Sequence, residues 1–159
     1  MGAPGPTLAG GARARVCMIL SLRVPCPFCT LSAGALVWSS GLAFAIRDRF
    51  PVSPGHTLII PRRHVETYFD AAPEEQVDLW RAVEGVKRAI DEELHPDGYN
   101  VGFNAGEAAG QTVMHLHIHL IPRFRGDMDD PRGGVRHVIP SRGNYLKQPP
   151  ESSGSLRQD

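Results

Sequence analysis

Three histidines alternate with aliphatic residues in one short stretch of this sequence. The stretch reads Met-His-Leu-His-Ile-His-Leu-Ile, and its histidines are His115, His117 and His119. A period of two residues is typical of a β-strand, in which successive side chains point to opposite faces. The pattern therefore predicts a strand whose three imidazoles share one face, with about 6.6 Å between successive residues on that face. The plain alternative is a half-buried strand whose polar face happens to carry histidine.

Aligned imidazoles are suited to nucleophilic catalysis. A neutral imidazole is available at pH 7 because its reference pKa is about 6.5. Its attack on phosphorus would form a phosphoramidate, a covalent intermediate that divides one difficult step into two. The loop before the histidines contains Gly106 and Gly110, whose backbone N–H groups can approach a phosphate closely, and Gln111 and Thr112, which add side-chain donors. Together these residues predict a site for chemistry at phosphorus.

A second cluster of chemically active residues begins at Cys26-Pro-Phe-Cys29. Two cysteines and two histidines can form a closed tetrahedral zinc site, and His64 and one histidine of the alternating stretch are the candidate partners. A thioredoxin-like redox pair also uses a Cys-Pro-x-Cys sequence, although no β-α-β pattern surrounds this one. Two reduced structural cysteines without a metal are the third interpretation.

One long helix and several short strands are predicted to position these residues. Apolar residues recur every three or four positions from Pro73 to about Leu94, and a proline followed by two glutamates suits a helix start. The buried stripe of this helix is predicted to comprise Val77, Trp80, Val83, Val86 or Lys87, Ile90 and Leu94. Strands are predicted at residues 36–38, 42–46, 57–60 and 99–103, in the histidine stretch and, more weakly marked, at residues 135–139. Without β-α-β alternation, this order predicts an α+β fold with an antiparallel sheet.

Composition limits the partners that the protein can have. The chain has 159 residues, of which 42% are hydrophobic, enough for one domain with a core. Lys+Arg and Asp+Glu both number 17, and zero net charge does not favour a nucleic acid polymer as the partner. No apolar run approaches the length of a membrane span. We expect a cytoplasmic protein with a flexible leader over residues 1–22, a catalytic domain over residues 23–140 and a flexible tail over residues 141–159.

The alternating histidines resemble the signature of the histidine triad (HIT) superfamily, which is His-φ-His-φ-His-φ-φ with φ an aliphatic residue. The resemblance covers about residues 26–139 and includes Asp48, Pro54-Gly55-His56, Pro61-Arg-Arg-His64, Asn104 and Gly110-Gln111-Thr112. The segment Asp-Pro-Arg-Gly-Gly-Val-Arg at residues 130–136 resembles a bacterial, zinc-containing branch that is similar to diadenosine polyphosphate hydrolases. The resemblance implies a homodimer, with an antiparallel sheet of about five strands, one long helix and one short helix in each subunit.

The resemblance also implies which residues act in catalysis. His117 matches the nucleophile, which forms a nucleotidyl-histidine at the α-phosphate that water then releases. His119 and Gln111 match residues around the phosphate and the leaving group. His56 matches a histidine that supports the triad from behind.

Substrate and metal ligands are implied in the same way. Asp48 matches the position that binds the ribose hydroxyls, and the phosphate side is implied to include Asn104, Gly110 and Thr112. A structural zinc ion is implied at Cys26, Cys29, His64 and His115. Zinc on His115 would remove that side chain from the phosphate, so its two implied roles conflict.

Several functions remain open on these residues. The leading hypothesis is a nucleotide hydrolase or nucleotidyl transferase that acts on dinucleoside polyphosphates or nucleoside phosphoramidates. If phosphate replaces water in the second step, the same site is a phosphorylase. A nucleotide-binding regulatory module with vestigial catalysis and a redox protein are the alternatives from other classes. Asp127, Asp129 and Asp130 fit either a magnesium cluster or, as we expect in a loop broken by proline, solvated carboxylates.

Overall fold

An antiparallel sheet with one long helix on its face forms the fold. The computed structural model describes residues 26–147. The helix α1 is Pro73–Leu94, and the strands are β1 Leu36–Ser39, β2 Ala43–Arg47, β3 Thr57–Pro61, β4 Gly98–Gly102 and β5 Ile118–Arg123. The strands lie in the order β1-β2-β3-β5-β4, and each neighbouring pair is antiparallel. The predicted α+β class and five-stranded sheet are confirmed, whereas the short helix takes the form of single 3-10 turns in the described residues.

The long helix has the predicted ends. Pro73 occupies its first turn, and the Glu75 carboxylate accepts a hydrogen bond from the Ala72 N–H at 2.8 Å, which satisfies one of the free donors at the helix start. His95 ends the helix in the left-handed conformation, with φ of 47°. No helix of residues 26–147 is long and apolar enough to cross a membrane.

The buried stripe of α1 is rotated from the prediction. Val83, Val86 and Ile90 are buried as predicted, together with Leu79 and Ala82, which were not predicted. In contrast, Val77 is 51% exposed and Trp80 is 44% exposed. Periodicity identifies an apolar band but not which edge of it meets the sheet, and this helix has apolar residues at both edges.

The histidine strand begins later than predicted. Strand β5 starts at Ile118, so only His119 lies in it, while His115 and His117 belong to the segment before it. Pairing with β3 ends at Ile59 opposite Ile118, and upstream of that point the Leu116 N–H donates to the Val65 carbonyl at 2.7 Å instead. The alternation nevertheless predicted burial correctly, because the aliphatic residues of the stretch at positions 116, 118 and 120 are all fully buried.

The two faces of the sheet differ in what covers them. One face packs against α1 through a core that includes Ile59, Leu116, Ile118 and Leu120. The other face has a smaller apolar cluster, formed by Phe44, Ile46, Leu58 and Ile60, with Phe28 and Leu36 packed against it. Leu58 pairs with His119 across β3 and β5, and paired residues share a face. The triad therefore borders the face that the helix leaves uncovered.

The last described segment is not a strand. A 3-10 helix spans Gly134–Val138, where a short strand was predicted, because Gly133 and Gly134 turn the chain with positive φ values. The described fold also extends past the predicted boundary at residue 140. Asp130 accepts hydrogen bonds from the Asn144 and Arg132 side chains and pairs with Lys147, which ties residues 130–147 together. The predicted leader and residues 148–159 of the predicted tail lie outside the described residues.

Candidate active site

His117 is held with one ring nitrogen bound and the other available. Its Nδ1 lies 2.8 Å from the carbonyl oxygen of His115, which can only accept a hydrogen bond, so Nδ1 carries the proton. In the neutral ring, Nε2 then has a free lone pair. The ring is 8% exposed, and its neighbours are the edges of Phe28 and His119, with ring centroids at 5.3 and 5.0 Å. This is the tautomer that a nucleophile at Nε2 needs.

His119 contacts His56 directly. The His119 Nδ1 lies 3.0 Å from the His56 Nε2, and the His56 Nδ1 lies 3.4 Å from the Asp48 carboxylate. Burial lowers the pKa of His119 to about 4, with further lowering by His117 and His56, while Asp48 opposes the shift. Burial also lowers the pKa of His56. Both rings are therefore neutral at pH 7, so each carries one proton and one lone pair.

The four implied metal ligands lie together at the end of the triad. The His115 Nδ1 is 3.4 Å from the Cys26 Sγ and 3.6 Å from the Cys29 Sγ, and the Cys29 Sγ is 3.3 Å from the His64 Nδ1. All four ligand atoms are within 4.8 Å of one another. A tetrahedral zinc ion with bonds of about 2.3 Å to sulfur and about 2.0 Å to nitrogen separates such ligands by about 3.5 Å. The donor set and its spacing thus fit zinc.

Both ring nitrogens of His115 have partners in the protein. Its Nε2 lies 2.9 Å from the Pro61 carbonyl, which fixes the proton there and directs the lone pair of Nδ1 at the two cysteines. These contacts favour its implied role as a metal ligand over its implied role at the phosphate. Cys26 and Cys29 are free of disulfide bonds, as metal ligands must be.

The loop before the triad is built differently from the expectation. Gly106 and Gly110 have positive φ values of 84° and 85°, which favour glycine, and their N–H groups donate within the loop, to the Gln111 side chain and the Glu107 carbonyl. The Gln111 amide donates to the Glu66 and Val113 carbonyls at 2.7 and 3.1 Å. The Gln111 side chain is 3% exposed, and its amide donors are occupied by these two carbonyls.

Two of the expected phosphate ligands keep their side chains available. Within residues 26–147, neither the Asn104 amide nor the Thr112 hydroxyl takes part in a hydrogen bond, and Thr112 is exposed. The acidic loop does not form a magnesium cluster among the described residues, because Asp127 pairs with Arg123 and Asp130 pairs with Arg132.

Three features of the site were not predicted from the sequence. Phe28 packs edge-on against both His115 and His117, at ring centroid distances of 5.8 and 5.3 Å. The backbone carbonyls of His115 and Pro61 fix the tautomers of His117 and His115, and the positions of backbone carbonyls cannot be inferred from side-chain patterns. Arg63, beside the ligand His64, forms an ion pair with the buried Glu75 at 2.7 Å. Of these three features, only Phe28 could have been found from the sequence, because it lies between the predicted metal ligands Cys26 and Cys29.

A cavity of about 300 Å³ opens beside Phe28. It lies on the helix-free face of the sheet, where the smaller apolar cluster is located. Its walls comprise Phe28, Cys29, Leu31, Ala33, Leu36, Phe44 and Arg62. This volume is at the lower end of the range of about 300–1,000 Å³ that small-molecule pockets occupy.

Comparison with known proteins gives the same assignment. A family model described as the HIT domain matches residues 32–126. An uncharacterized HIT-like protein of Saccharolobus solfataricus is 34% identical over 124 residues, which cover 76% of this chain and 89% of that protein. A bis(5'-adenosyl)-triphosphatase of Dictyostelium discoideum is 37% identical over 95 residues, 60% of this chain and 64% of that protein. An AP-4-A phosphorylase of Mycobacterium tuberculosis is 35% identical over 95 residues, 59% of this chain and 49% of that protein.

A solved structure supports the fold. The crystal structure of a Zn-bound histidine triad family protein of Mycobacterium smegmatis is 35% identical, with a TM-score of 0.61, and the match covers 67% of this chain and 80% of that chain. The matched family model spans more than half of the chain and includes all three histidines of the signature. The chain therefore belongs to the histidine triad family.

Proposed function

We propose that the protein is a nucleotide hydrolase or nucleotidyl transferase that forms a covalent nucleotidyl-His117 intermediate. The substrates are dinucleoside polyphosphates or nucleoside phosphoramidates, cleaved at the α-phosphate. The observation that carries the proposal is the hydrogen bond from the His117 Nδ1 to the His115 carbonyl, because it leaves Nε2 as a free nucleophile in a buried site. The relatives named as a triphosphatase and a phosphorylase act on molecules of this class by name.

The proposed reaction has two chemical steps, and both use His117. The His117 Nε2 attacks phosphorus, and an N–P bond forms while the bond to the leaving group breaks. The leaving group departs with the bonding electron pair and takes its proton from solvent, while the N–H of the neutral His119 ring donates a hydrogen bond to it. The imidazolium formed on His117 is stabilised because its Nδ1–H donates to the His115 carbonyl. Water then attacks phosphorus and gives its proton to solvent, and the N–P electron pair returns to His117.

The nucleotide is proposed to lie across the helix-free face. The cavity beside Phe28 would hold the base between apolar side chains, and Asp48 would accept hydrogen bonds from the ribose hydroxyls. Asn104 and Thr112 would donate to the phosphate oxygens, since neither side chain is engaged within the described residues. Gln111 and Gly110 act in this proposal through the shape of the loop.

Zinc is proposed as a structural ion at Cys26, Cys29, His64 and His115. All four positions are protein side chains, so the ion would supply folding energy rather than an open coordination site. The ion would attach the segment that contains Cys26, Phe28 and Cys29 to the triad. Free cysteines that bind metal suit a reducing compartment, which supports a cytoplasmic location.

A homodimer is also proposed. Strand β4 is at the edge of the sheet, and its outer side has no partner strand among residues 26–147. An unpaired edge is a template for a further strand. The exposed apolar side chains of Val77, Trp80 and Phe69 would add burial to such an interface. Sedimentation of the full chain would test the proposal, and a monomer at micromolar concentration would exclude a stable dimer.

A substrate panel tests the enzymatic proposal. The panel contains nucleoside phosphoramidates, dinucleoside tri- and tetraphosphates and adenylylated compounds, each with and without phosphate. We expect turnover of one class, a loss of at least about 10⁴-fold in kcat for His117→Ala, and partial rescue of His117→Gly by added imidazole. His137→Ala is the matched control, because the His137 Nε2 bonds to the Arg132 carbonyl, away from the triad. Unchanged activity in His117→Ala would refute the covalent mechanism.

The same panel separates the alternatives. Turnover that requires phosphate and yields a nucleoside diphosphate would identify a phosphorylase. Tight nucleotide binding without turnover of any compound would identify a regulatory module. A disulfide between Cys26 and Cys29 in the native protein, with no zinc by metal analysis, would favour the redox interpretation.

A further inference from the structure

Arg62 contributes a positive charge to the wall of the cavity beside Phe28. Its backbone N–H donates to the Leu42 carbonyl at 2.8 Å, which attaches the residue to the turn between β1 and β2. The guanidinium Nε donates to the Ser40 carbonyl at 2.9 Å, and Nη2 donates to the Ser39 hydroxyl. Three contacts to one short segment therefore hold this guanidinium in place before a ligand is present.

The terminal edge of the Arg62 guanidinium keeps two parallel donors available. A guanidinium has five N–H donors in a planar fork, and the contacts to Ser40 and Ser39 use the Nε–H and the Nη2–H on the same side. One N–H of Nη1 and the second N–H of Nη2 then point in the same direction from the end of the group. Within residues 26–147 these donors have no acceptor, and no carboxylate forms an ion pair with this charge.

The rest of the cavity wall has no side chain that would accept a hydrogen bond from a ligand. Its other described residues are apolar except Cys29, whose Sγ is engaged by His64 at 3.3 Å. The Arg62 Cζ lies 5.7 Å from the centroid of the buried Phe44 ring. The cavity thus has apolar surface for the face of a planar ring and one pair of N–H donors for its edge.

The cavity adjoins the nucleophile. Phe28 belongs to its wall and packs edge-on against the His117 ring, with centroids 5.3 Å apart. Pro61, which precedes Arg62, binds the His115 Nε2 through its carbonyl at 2.9 Å. The guanidinium and the triad are therefore attached to the same stretch of backbone, and their spacing is fixed by the sheet.

We propose that Arg62 recognises the base of the bound nucleotide, so that the site prefers the 6-oxopurines guanine and hypoxanthine to adenine. This inference rests on the proposed function, because it names the base at the same site. O6 and N7 of a 6-oxopurine are neighbouring acceptors, and arginine binds this pair with two parallel N–H donors. Adenine has an amino group at C6, so one N–H of Arg62 would face another donor. The wall has no side-chain acceptor to offset that mismatch.

Calorimetric binding of four nucleoside monophosphates to the full chain measures the preference. We expect GMP and IMP to bind at least about 5-fold more tightly than AMP, the low end of the discrimination that a bidentate arginine gives. 7-deaza-GMP, which lacks the N7 acceptor, should lose most of this advantage. IMP lacks the amino group at C2 of guanine, so its tight binding would assign the preference to O6 and N7.

Arg62→Lys tests the guanidinium at constant charge. Lysine has a single ammonium group and cannot present two parallel donors, so GMP and AMP should bind this variant within about 2-fold of each other. The affinity for AMP should remain that of the wild type. Arg88→Lys is the matched control, because Arg88 pairs with Glu84 on the exposed side of α1, and it should keep the preference of the wild type.

The outcomes separate this inference from the proposed function. Equal affinity of the wild-type protein for GMP and AMP would overturn the recognition of the base, even if the enzyme is active. An equal loss of affinity for GMP and AMP in Arg62→Lys would also overturn it, because a phosphate contact or a purely structural role does not distinguish bases. Full retention of the preference by 7-deaza-GMP would exclude the bidentate contact. No binding of any of the four nucleotides would count against both this inference and the proposed nucleotide function.

Discussion

Acid should destabilise the protein through His119 in a defined pH window. The pKa of His119 is lowered from 6.5 to about 4, chiefly because the ring is buried and secondarily because His117 and His56 lie beside it. Above pH 6.5 the ring is neutral in both the folded and the unfolded state, so it has no effect on the pH dependence. As the pH falls from 6.5 to about 4, the unfolded chain binds a proton that the folded chain does not. Stability is therefore lost across this window and levels off below it.

The size of the effect follows from the width of the window. At about 1.4 kcal/mol per pH unit, a window from pH 6.5 to about 4 corresponds to an upper limit of about 3.4 kcal/mol. The His119 side chain is partly exposed, so solvent screening reduces this to about 1–2 kcal/mol. His56 and His115 also have lowered pKa values and lose stability in the same direction. The contribution of His119 therefore has to be isolated by substitution.

Urea unfolding of the wild-type protein and His119→Gln at several pH values between 7.5 and 4.5 measures the difference. Gln can still bond to His56 but does not titrate, so the variant should lose about 1–2 kcal/mol less than the wild type over this range. Equal zinc concentration in all samples makes the metal contribution the same in both proteins. His137→Gln, outside the site, should follow the wild type. Parallel stability curves for the wild type and His119→Gln would refute the assignment of a buried, neutral His119.

Three further predictions concern the core, the helix start and the metal group. In a urea titration, Leu79→Ala should lower the free energy of unfolding by about 2–4 kcal/mol, because the side chain is fully buried against the sheet. Val77→Ala, on the exposed edge of the helix, should change it by less than about 0.5 kcal/mol. Glu75→Gln keeps an acceptor for the helix start but removes the charge that binds Arg63, so it should cost about 1–2 kcal/mol; no loss would show that the ion pair contributes nothing. Cys29→Ser should reduce the bound zinc from about one ion per chain to less than half by metal analysis, and an unchanged zinc content would place the ion elsewhere.

Local pattern was sufficient for most of the secondary structure. The helix Pro73–Leu94 agrees with the approximate bounds that were predicted, because its start has proline and glutamate and its apolar repeat is long. The prediction of a strand at residues 135–139 was wrong because Gly133 and Gly134 turn the chain with positive φ values. The prediction that Val77 and Trp80 belong to the buried stripe was wrong, because the side of the helix that meets the sheet depends on how the whole helix packs.

The candidate site likewise has features that the sequence predicted and features that it did not. Spacing alone indicated that the histidines from His115 to His119 and the cysteines were the reactive groups, and the family signature associated them with phosphorus chemistry. The hydrogen bonds of Gln111 were not predictable, because its partners are backbone carbonyls of Glu66 and Val113 that no side-chain pattern records.

The sequence by itself determined which side chains are present and which face of each element they prefer, because alternation and helical periodicity are properties of a local backbone. Only the tertiary structure decided the hydrogen-bond partners of each imidazole. The carbonyl of His115 leaves the Nε2 of His117 available, the carbonyl of Pro61 turns His115 toward the cysteines, and His56 links His119 to Asp48. The physical reason is that a neutral imidazole has one donor and one acceptor. Its role is set by the group that occupies the other nitrogen, and that group comes from a distant part of the chain or from the backbone.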